Sequence, residues 1–214
     1  MLTLKTFLFN PLSVNCYVVH AENGETAIID PACYNENEQQ QLIDYVQTNR
    51  LKVKHLILTH FHFDHLMGAA FAVNHFGIPL SAHKDFIFLY GNFDVTFQST
   101  FFGFTVKQPP KPKVLLDEDD EIALNGYSLK VLHVPGHSPC GIALYSKESK
   151  FVISGDSLFE GVIGRTDLLG GNTEQLLHSI QTKMFVLPDY TIVYPGHGNS
   201  TTIEQEKKYN VFFQ

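Results

Sequence analysis

The sequence predicts an α/β fold, on three observations. Apolar, strand-like runs alternate with amphipathic stretches along the 214 residues, the order expected of sheets covered by helices. Strands followed by a helix recur in each half, which hints at a weak internal duplication. Five polar turns, at Asp30, at His60 to His65, at His137, at Asp156 and at His197, each lie just past the end of a predicted strand. If those strands share a sheet edge, the five turns meet on one rim, where a rigid scaffold presents side chains together. With 44% hydrophobic residues, the chain can build one substantial core, so residues 1–214 are expected to form a single domain.

Taken in order, residues 2 to 9 and 14 to 19 read as strands. Asn23-Gly24 is a hairpin signal leading into Thr26 to Ile29, which ends in Asp30-Pro31. Leu42, Ile43 and Val46 fall at helical spacing within residues 36 to 48. Val53 to Leu58 reads as a buried strand, and Leu66 to Phe76 as a helix closed by Gly77. Ile78 to Ala82 is a short strand. Residues 84 to 112 are crowded with Phe86, Phe88, Tyr90, Phe93, Phe97, Phe101, Phe102 and Phe104. Packing in a helix and loop is the first reading of that stretch; an aromatic wall or lid beside a site, or a subunit contact in a homo-oligomer, is the second. Asp117 to Glu121 is an acidic run expected to stay solvated. Asn125-Gly126 joins the strands Glu121 to Leu124 and Tyr127 to Val134. Gly141 to Tyr145 and Phe151 to Ser154 are further strands. Asn172 caps a helix running to Leu187, Thr191 to Tyr194 is the last strand, and Thr202 opens a final helix to Phe213.

Composition excludes several roles. A formal net charge of −7 with no basic run argues against nucleic-acid binding. No apolar run approaches the ~20 residues of a membrane helix, and the N-terminus lacks a signal-peptide layout because Lys5 and Pro11 interrupt it. Cys16, Cys33 and Cys140 are isolated and lack CxxC spacing, so neither a disulfide framework nor a thiolate cage is implied. A reducing cytoplasm is the expected setting. Cys140, three residues after His137, reads first as a small buried residue and second as a redox-sensitive neighbour.

Eleven histidines against three cysteines point to imidazole and carboxylate metal chemistry. The stretch Thr59-His60-Phe61-His62-Phe63-Asp64-His65 crowds three histidines and an aspartate onto a strand-to-helix turn. His60 and His62 can converge on one ion, and Asp64 and His65 can face a neighbouring one. With the other strand-end turns, the ligand candidates are His60, His62, Asp64, His65, His137, Asp156 and His197. Two divalent ions among them would leave the site net positive, which suits an anionic transition state. His20, His55, His83 and His133 read as satisfied structural histidines, His178 as a surface residue, and His75 as suited to a helix C-terminus. Arg165 and Asp167 read first as a pair bracing the loop after Asp156, and second as substrate contacts.

The sequence resembles the metallo-β-lactamase-fold hydrolases, in particular the glyoxalase II-like (hydroxyacylglutathione hydrolase-like) group. The resemblance spans nearly the whole chain: Asn10-Pro11 and Asn15-Cys16-Tyr17, Asp30-Pro31, Thr59 to His65, Gly136 to Pro139, Gly155 to Phe159, Gly164 to Asp167, and Pro195 to Gly198. It implies a four-layer αββα sandwich. It also implies that His60, His62 and His137 hold one ion, that Asp64, His65 and His197 hold the other, and that Asp156 bridges them. Zinc is the first expectation for both ions, with iron or manganese as alternatives. Cys33 and Cys140 stand where relatives often carry glycine. The activity implied is attack of a metal-activated hydroxide on a small acyl thioester such as hydroxyacylglutathione. Asp64 and Asp156 would be the catalytic carboxylates, and Asp30 would accept the free N–H of a ligand histidine. Glyoxalase II enzymes proper resemble this chain plus a C-terminal helical domain that contacts glutathione. Gln214 follows His197 too soon for one, so a strict need for glutathione is not expected. The alternative is a persulfide dioxygenase of the same fold, with one iron on His60, His137 and Asp156. A non-catalytic scaffold is the third reading.

Overall fold

The structure, a computed structural model, describes residues 1–92 and 94–214. Phe93, one of the aromatic residues singled out above, lies outside the described residues. The first half contains β1 (Thr3–Phe9), β2 (Val14–His20), β3 (Glu25–Ile29), α1 (Glu36–Thr48), β4 (Lys52–Ile57), α2 (Phe63–Leu66), α3 (Ala69–Phe76), β5 (Leu80–His83), α4 (Phe86–Asn92), α5 (Val95–Phe101) and β6 (Val114–Leu116). Its strands form one sheet in sequence order. The β1–β2–β3 pairings are antiparallel and the β3–β4–β5–β6 pairings parallel. Each parallel step needs a crossover, and the helices supply them.

The second half contains β7 (Glu121–Leu124), β8 (Tyr127–His133), β9 (Ile142–Ser146), β10 (Phe151–Gly155), β11 (Leu158–Phe159), β12 (Val162–Ile163), α6 (Thr173–Ser179), a π-helical turn (Ile180–Met184), β13 (Ile192–Pro195), β14 (Thr201–Thr202) and α7 (Ile203–Tyr209). Its main sheet runs β14-β13-β10-β9-β8-β7, and β11 with β12 forms a separate hairpin.

Alternation along the strands builds three cores, hence four layers. Along β2 and β3, Cys16, Val18 and Ile28 point to the side covered by α1, α2 and α3, where Leu42, Leu66, Ala69 and Ala72 are buried with them. Tyr17, Val19, Ala27 and Ile29 point the other way, against Leu129, Val131, Leu144 and Ile153 of the second sheet. The far face of that sheet, through Leu132, Ala143, Val152 and Val193, packs on Leu176, Ile180 and Ile203. The αββα sandwich expected from the resemblance is the observed architecture.

The hairpin and capping signals read from the sequence carry their expected geometry. Asn125 and Gly126 both have positive φ, 47° and 81°, as a two-residue type I′ turn requires. Asn172 and Thr202 accept from Gln175 N and Gln205 N, and Asn35, a cap not read from the sequence, accepts from Glu38 N.

Several boundaries differ from the sequence reading. The helix expected over Leu66 to Phe76 starts earlier and breaks between α2 and α3. At the break, Gly68 lies so close to the 31–33 turn that a Cβ would sit 2.4 Å from Cys33 Sγ and 2.5 Å from the Pro31 oxygen. The helix expected to Leu187 turns π-helical after Ser179, and the final helix stops at Tyr209. The short strands β6, β11 and β12 were not anticipated; Val114 and Leu115 are exposed, so β6 shows no clear alternation. The polar turns do not come from one sheet edge. Asp30 and the His60–His65 turn follow β3 and β4 of the first sheet, whereas His137, Asp156 and His197 follow β8, β10 and β13 of the second. Among the described residues, no helix is long and apolar enough to cross a membrane.

Candidate metal centre

The site is built around the carboxylate of Asp30, at the end of β3. Its backbone is left-handed, with φ 48°, and its amide donates to the Ile57 oxygen at 2.9 Å, tying it to the end of β4. The buried carboxylate accepts from Thr59 N (2.7 Å), Thr59 Oγ1 (2.6 Å) and His65 Nδ1 (2.9 Å). Because the Thr59 hydroxyl proton is given to Asp30, its oxygen accepts from His60 Nδ1 at 2.9 Å. Two rings are thereby oriented from behind, and the Nε2 of each is left to face inward.

The other sheet repeats the device. His137 Nδ1 donates to the Arg165 oxygen at 2.7 Å, and His197 Nδ1 to the Leu12 oxygen at 3.0 Å. An outward N–H bond of this kind sets the tautomer and leaves Nε2 as a lone-pair donor. Asp156, just past β10, lies among these atoms. Its oxygens are 3.3 Å from His65 Nε2, 3.7 Å from His137 Nε2 and 3.6 Å from His197 Nε2. Asp64 Oδ2 is 3.3 Å from His197 Nε2.

Two three-residue sets emerge. His60, His62 and His137 bring one ligand atom each within 4.8 Å of one another, and so do Asp64, His65 and His197. All seven candidates read from the sequence therefore fall in one cluster, with Asp30 behind it. The donor atoms fit a cation on an independent ground. His60 Nε2, His137 Nε2 and Asp156 Oδ1 are buried and have no hydrogen-bond partner among the described residues. Each such atom costs about 1–3 kcal/mol, and an ion would satisfy all three.

Charge divides the cluster. Burial pulls His60 well below its ordinary pKa, His62 down to about 3, and His137 downward as well. These rings are neutral, the form that ligates a metal. Burial also opposes charge on His65, but Asp156, Asp30 and Asp64 outweigh it and push its pKa well up. For His197 burial is likewise outweighed, by Asp64 and Asp156. Both aspartates go the opposite way: burial raises them, the surrounding histidines outweigh it, and Asp64 and Asp156 stay anionic.

Backbone closeness holds the carboxylate in place. A Cβ on Gly196 would sit 2.0 Å from Asp156 Oδ1, and one on Gly164 would sit 3.0 Å from His137 Nδ1. No larger residue fits at Gly196 unless Asp156 moves.

Some supporting residues were not assigned a role from sequence. Asn10 Nδ2 donates to the main-chain oxygen of Asp64 at 3.0 Å and to that of Ala32 at 3.1 Å. Asn15 Nδ2 donates to the Pro195 and Gly198 oxygens at 2.9 and 3.0 Å, and Tyr17 OH donates to the Pro195 oxygen at 2.5 Å. These residues lie in the N-terminal motifs of the family resemblance, and they bind down the turns that carry Asp64 and His197. Arg165 serves His137 through its main-chain oxygen. Its exposed guanidinium forms a bidentate pair with Asp167, at 2.8 and 2.9 Å.

The remaining candidates resolve individually. All three cysteines are buried and free. Burial pushes the Cys33 and Cys140 thiols up to about 12, and Cys140 packs as a small thiol, the first reading given for it above. His83 departs from its expected role: its ring stacks on His133 at 3.8 Å, and its buried Nε2 makes no hydrogen bond among the described residues.

A cleft of about 900 Å³ opens over the cluster, with His62, Asp64, His137, Asp156 and His197 at its base. This volume lies within the range of small-molecule sites.

Residues 9–197 match the metallo-beta-lactamase superfamily. The chain is 38% identical over 201 residues to the hydroxyacylglutathione hydrolase GloC of Haemophilus influenzae, covering 92% of each chain. Among solved structures, the BLEG-1 B3 metallo-beta-lactamase superposes with a TM-score of 0.88 at 32% identity, over 99% of this chain and 100% of that one. TTHA1623 in a di-iron-bound form superposes with a TM-score of 0.84 at 35% identity, over 97% and 99%. Sandwich, ligand cluster and family match agree: the chain belongs to the metallo-β-lactamase superfamily, which binds divalent metals, and its own histidine and aspartate groups are arranged to hold them.

Proposed function

We propose that this protein is a metal-dependent hydrolase of small acyl thioesters. His60, His62 and His137 would hold one divalent ion, Asp64, His65 and His197 a second, and Asp156 would lie between them. The observation that carries this reading is the pair of three-residue ligand sets flanking one buried carboxylate. Likeness to a hydroxyacylglutathione hydrolase supports the thioester class, and likeness to a di-iron protein supports a pair of ions. Zinc is the metal we propose, with iron as the alternative.

Bound there, divalent ions supply acidity to water and polarise a carbonyl oxygen. The chain's own groups do the rest. The anionic Asp156, with Asp64 beside it, orients the attacking water, whose proton passes to the solvent. Water oxygen bonds to the carbonyl carbon, the C–S bond breaks, and its electron pair leaves on sulfur. The products are a carboxylate and a thiol, with one proton released. A thiolate leaves readily, so no dedicated acid is required, and none of the neutral ligand histidines is asked to act as one.

A second reading has an observation of its own. Within the cluster, the buried atoms without hydrogen-bond partners among the described residues belong to His60, His137 and Asp156, the two-histidine, one-carboxylate set of a mononuclear iron oxygenase. Aerobic and anaerobic assays separate the two. Under argon, the zinc- or iron-loaded protein is expected to hydrolyse thioesters at its aerobic rate. Oxygen uptake with glutathione persulfide, together with no thioester hydrolysis, would establish the dioxygenase instead.

A further inference from the structure

The walls of the cleft above the metal cluster differ in character from its base. Phe97 and Phe101 of α5 line it and are 75% and 81% exposed, and Leu169, which also lines it, is 67% exposed. The fold does not need these side chains for packing. On α5, Val95 and Ser99 face inward and are buried, while Phe97 and Phe101 are spaced four residues apart on another face. Packing beneath them is done by others: Phe61 meets Phe86 edge-on at 4.8 Å, and Phe63 stacks on Phe102 at 5.3 Å. Phe63 lies between His62 and Asp64, so the aromatic wall joins the ligand turn directly.

The wall also lacks the charges that an anionic peptide would need. Among the described residues no lysine lines the cleft. Its one arginine, Arg165, is already held in a bidentate pair by Asp167. Glutathione carries two carboxylates beyond its thiol, and here they would meet phenyl rings and leucines.

Building on the thioester reading, we propose that the cleft selects substrates by a bulky apolar group, a medium-length alkyl chain or an aryl ring. That group lodges against Phe97, Phe101 and Leu169, which line the cleft together. An apolar group leaving water for such walls gains binding energy in proportion to its area, and a rigid helix face holds the scissile bond over the ligand cluster.

Two thioester series test the proposal with metal-loaded protein: N-acetylcysteamine esters of lengthening fatty acids, and acetyl esters of lengthening alkane thiols. In at least one series kcat/KM is expected to rise about threefold per methylene and to pass that of S-lactoylglutathione. Phe97→Ser with Phe101→Ser, both exposed positions, is expected to flatten that slope while circular dichroism and metal content stay at wild-type values. Calorimetry with S-octyl and S-ethyl N-acetylcysteamine thioethers, which cannot be hydrolysed, reads the cleft without turnover. The octyl compound is expected to bind at least about tenfold tighter. Equal binding of the two, flat chain-length series, or tighter binding of S-methylglutathione than of the octyl thioether would overturn the proposal. Chain-length-dependent binding without hydrolysis of any thioester would leave the apolar cleft standing and remove the hydrolase reading.

Discussion

Asp156→Ala is expected to lower kcat/KM for thioesters by at least about a thousandfold. Removing a single electrostatic contact to a transition state typically costs 10²–10³, and Asp156 touches both ligand sets. Its oxygens lie 3.3 Å from His65 Nε2 on one side and 3.7 Å from His137 Nε2 on the other. Without it, His65 also loses the first of the carboxylates that outweigh its burial. Metal content should fall with activity, as read by elemental mass spectrometry on dialysed protein. Asp156→Asn keeps the shape but not the charge and should fail similarly, which separates ligation from packing. A variant with full metal content and turnover within tenfold of wild type would remove Asp156 from the centre of the site.

Asp30→Ala is expected to damage stability as well as activity. The carboxylate is buried and accepts three hydrogen bonds, from Thr59 N, Thr59 Oγ1 and His65 Nδ1. Alanine would leave those donors unsatisfied in the interior, at a cost of about 3–5 kcal/mol. For a chain of 214 residues that corresponds to a drop in Tm of roughly 10 °C. The His65 tautomer and, through Thr59, the His60 ring would lose their support, so metal affinity should weaken about 10–100-fold. Calorimetry of the metal-free protein and competition with a chromophoric chelator read the two effects separately. Unchanged Tm and unchanged affinity would show that Asp30 neither braces the turn nor orients His65.

What the sequence disclosed and what it hid follow from the range of the forces involved. Hairpins at Asn23-Gly24 and Asn125-Gly126, helix caps at Asn172 and Thr202, and the His60–His65 cluster are local signals, and they were legible. The convergence of Asp30, His137, Asp156 and His197 was legible too, because each follows a strand. That the strands belong to two facing sheets was not, since nothing local distinguishes a strand of one sheet from a strand of the other. The bonds from Asn15 Nδ2 to Pro195 and Gly198 span 180 and 183 residues; no nearby pattern announces such partners. The break at Gly68 depends on how closely the 31–33 turn approaches. The aromatic stretch divides between the two readings offered for it: Phe86 and Phe104 pack, while Phe97 and Phe101 face the cleft. Composition alone cannot make that division, because a phenyl ring suits either place.

Metal stoichiometry measured alongside turnover tests the proposed centre most directly. Metal-free protein would be titrated with zinc, and separately with ferrous iron under argon, while hydrolysis of a thioester is followed at each addition. Activity is expected to rise until about two equivalents per chain are bound. Asp64→Ala, which breaks the contact between Asp64 Oδ2 and His197 Nε2, is expected to stop near one equivalent with hydrolysis strongly reduced. Wild-type protein that saturates with a single iron, leaves thioesters intact and consumes oxygen with glutathione persulfide would contradict the account.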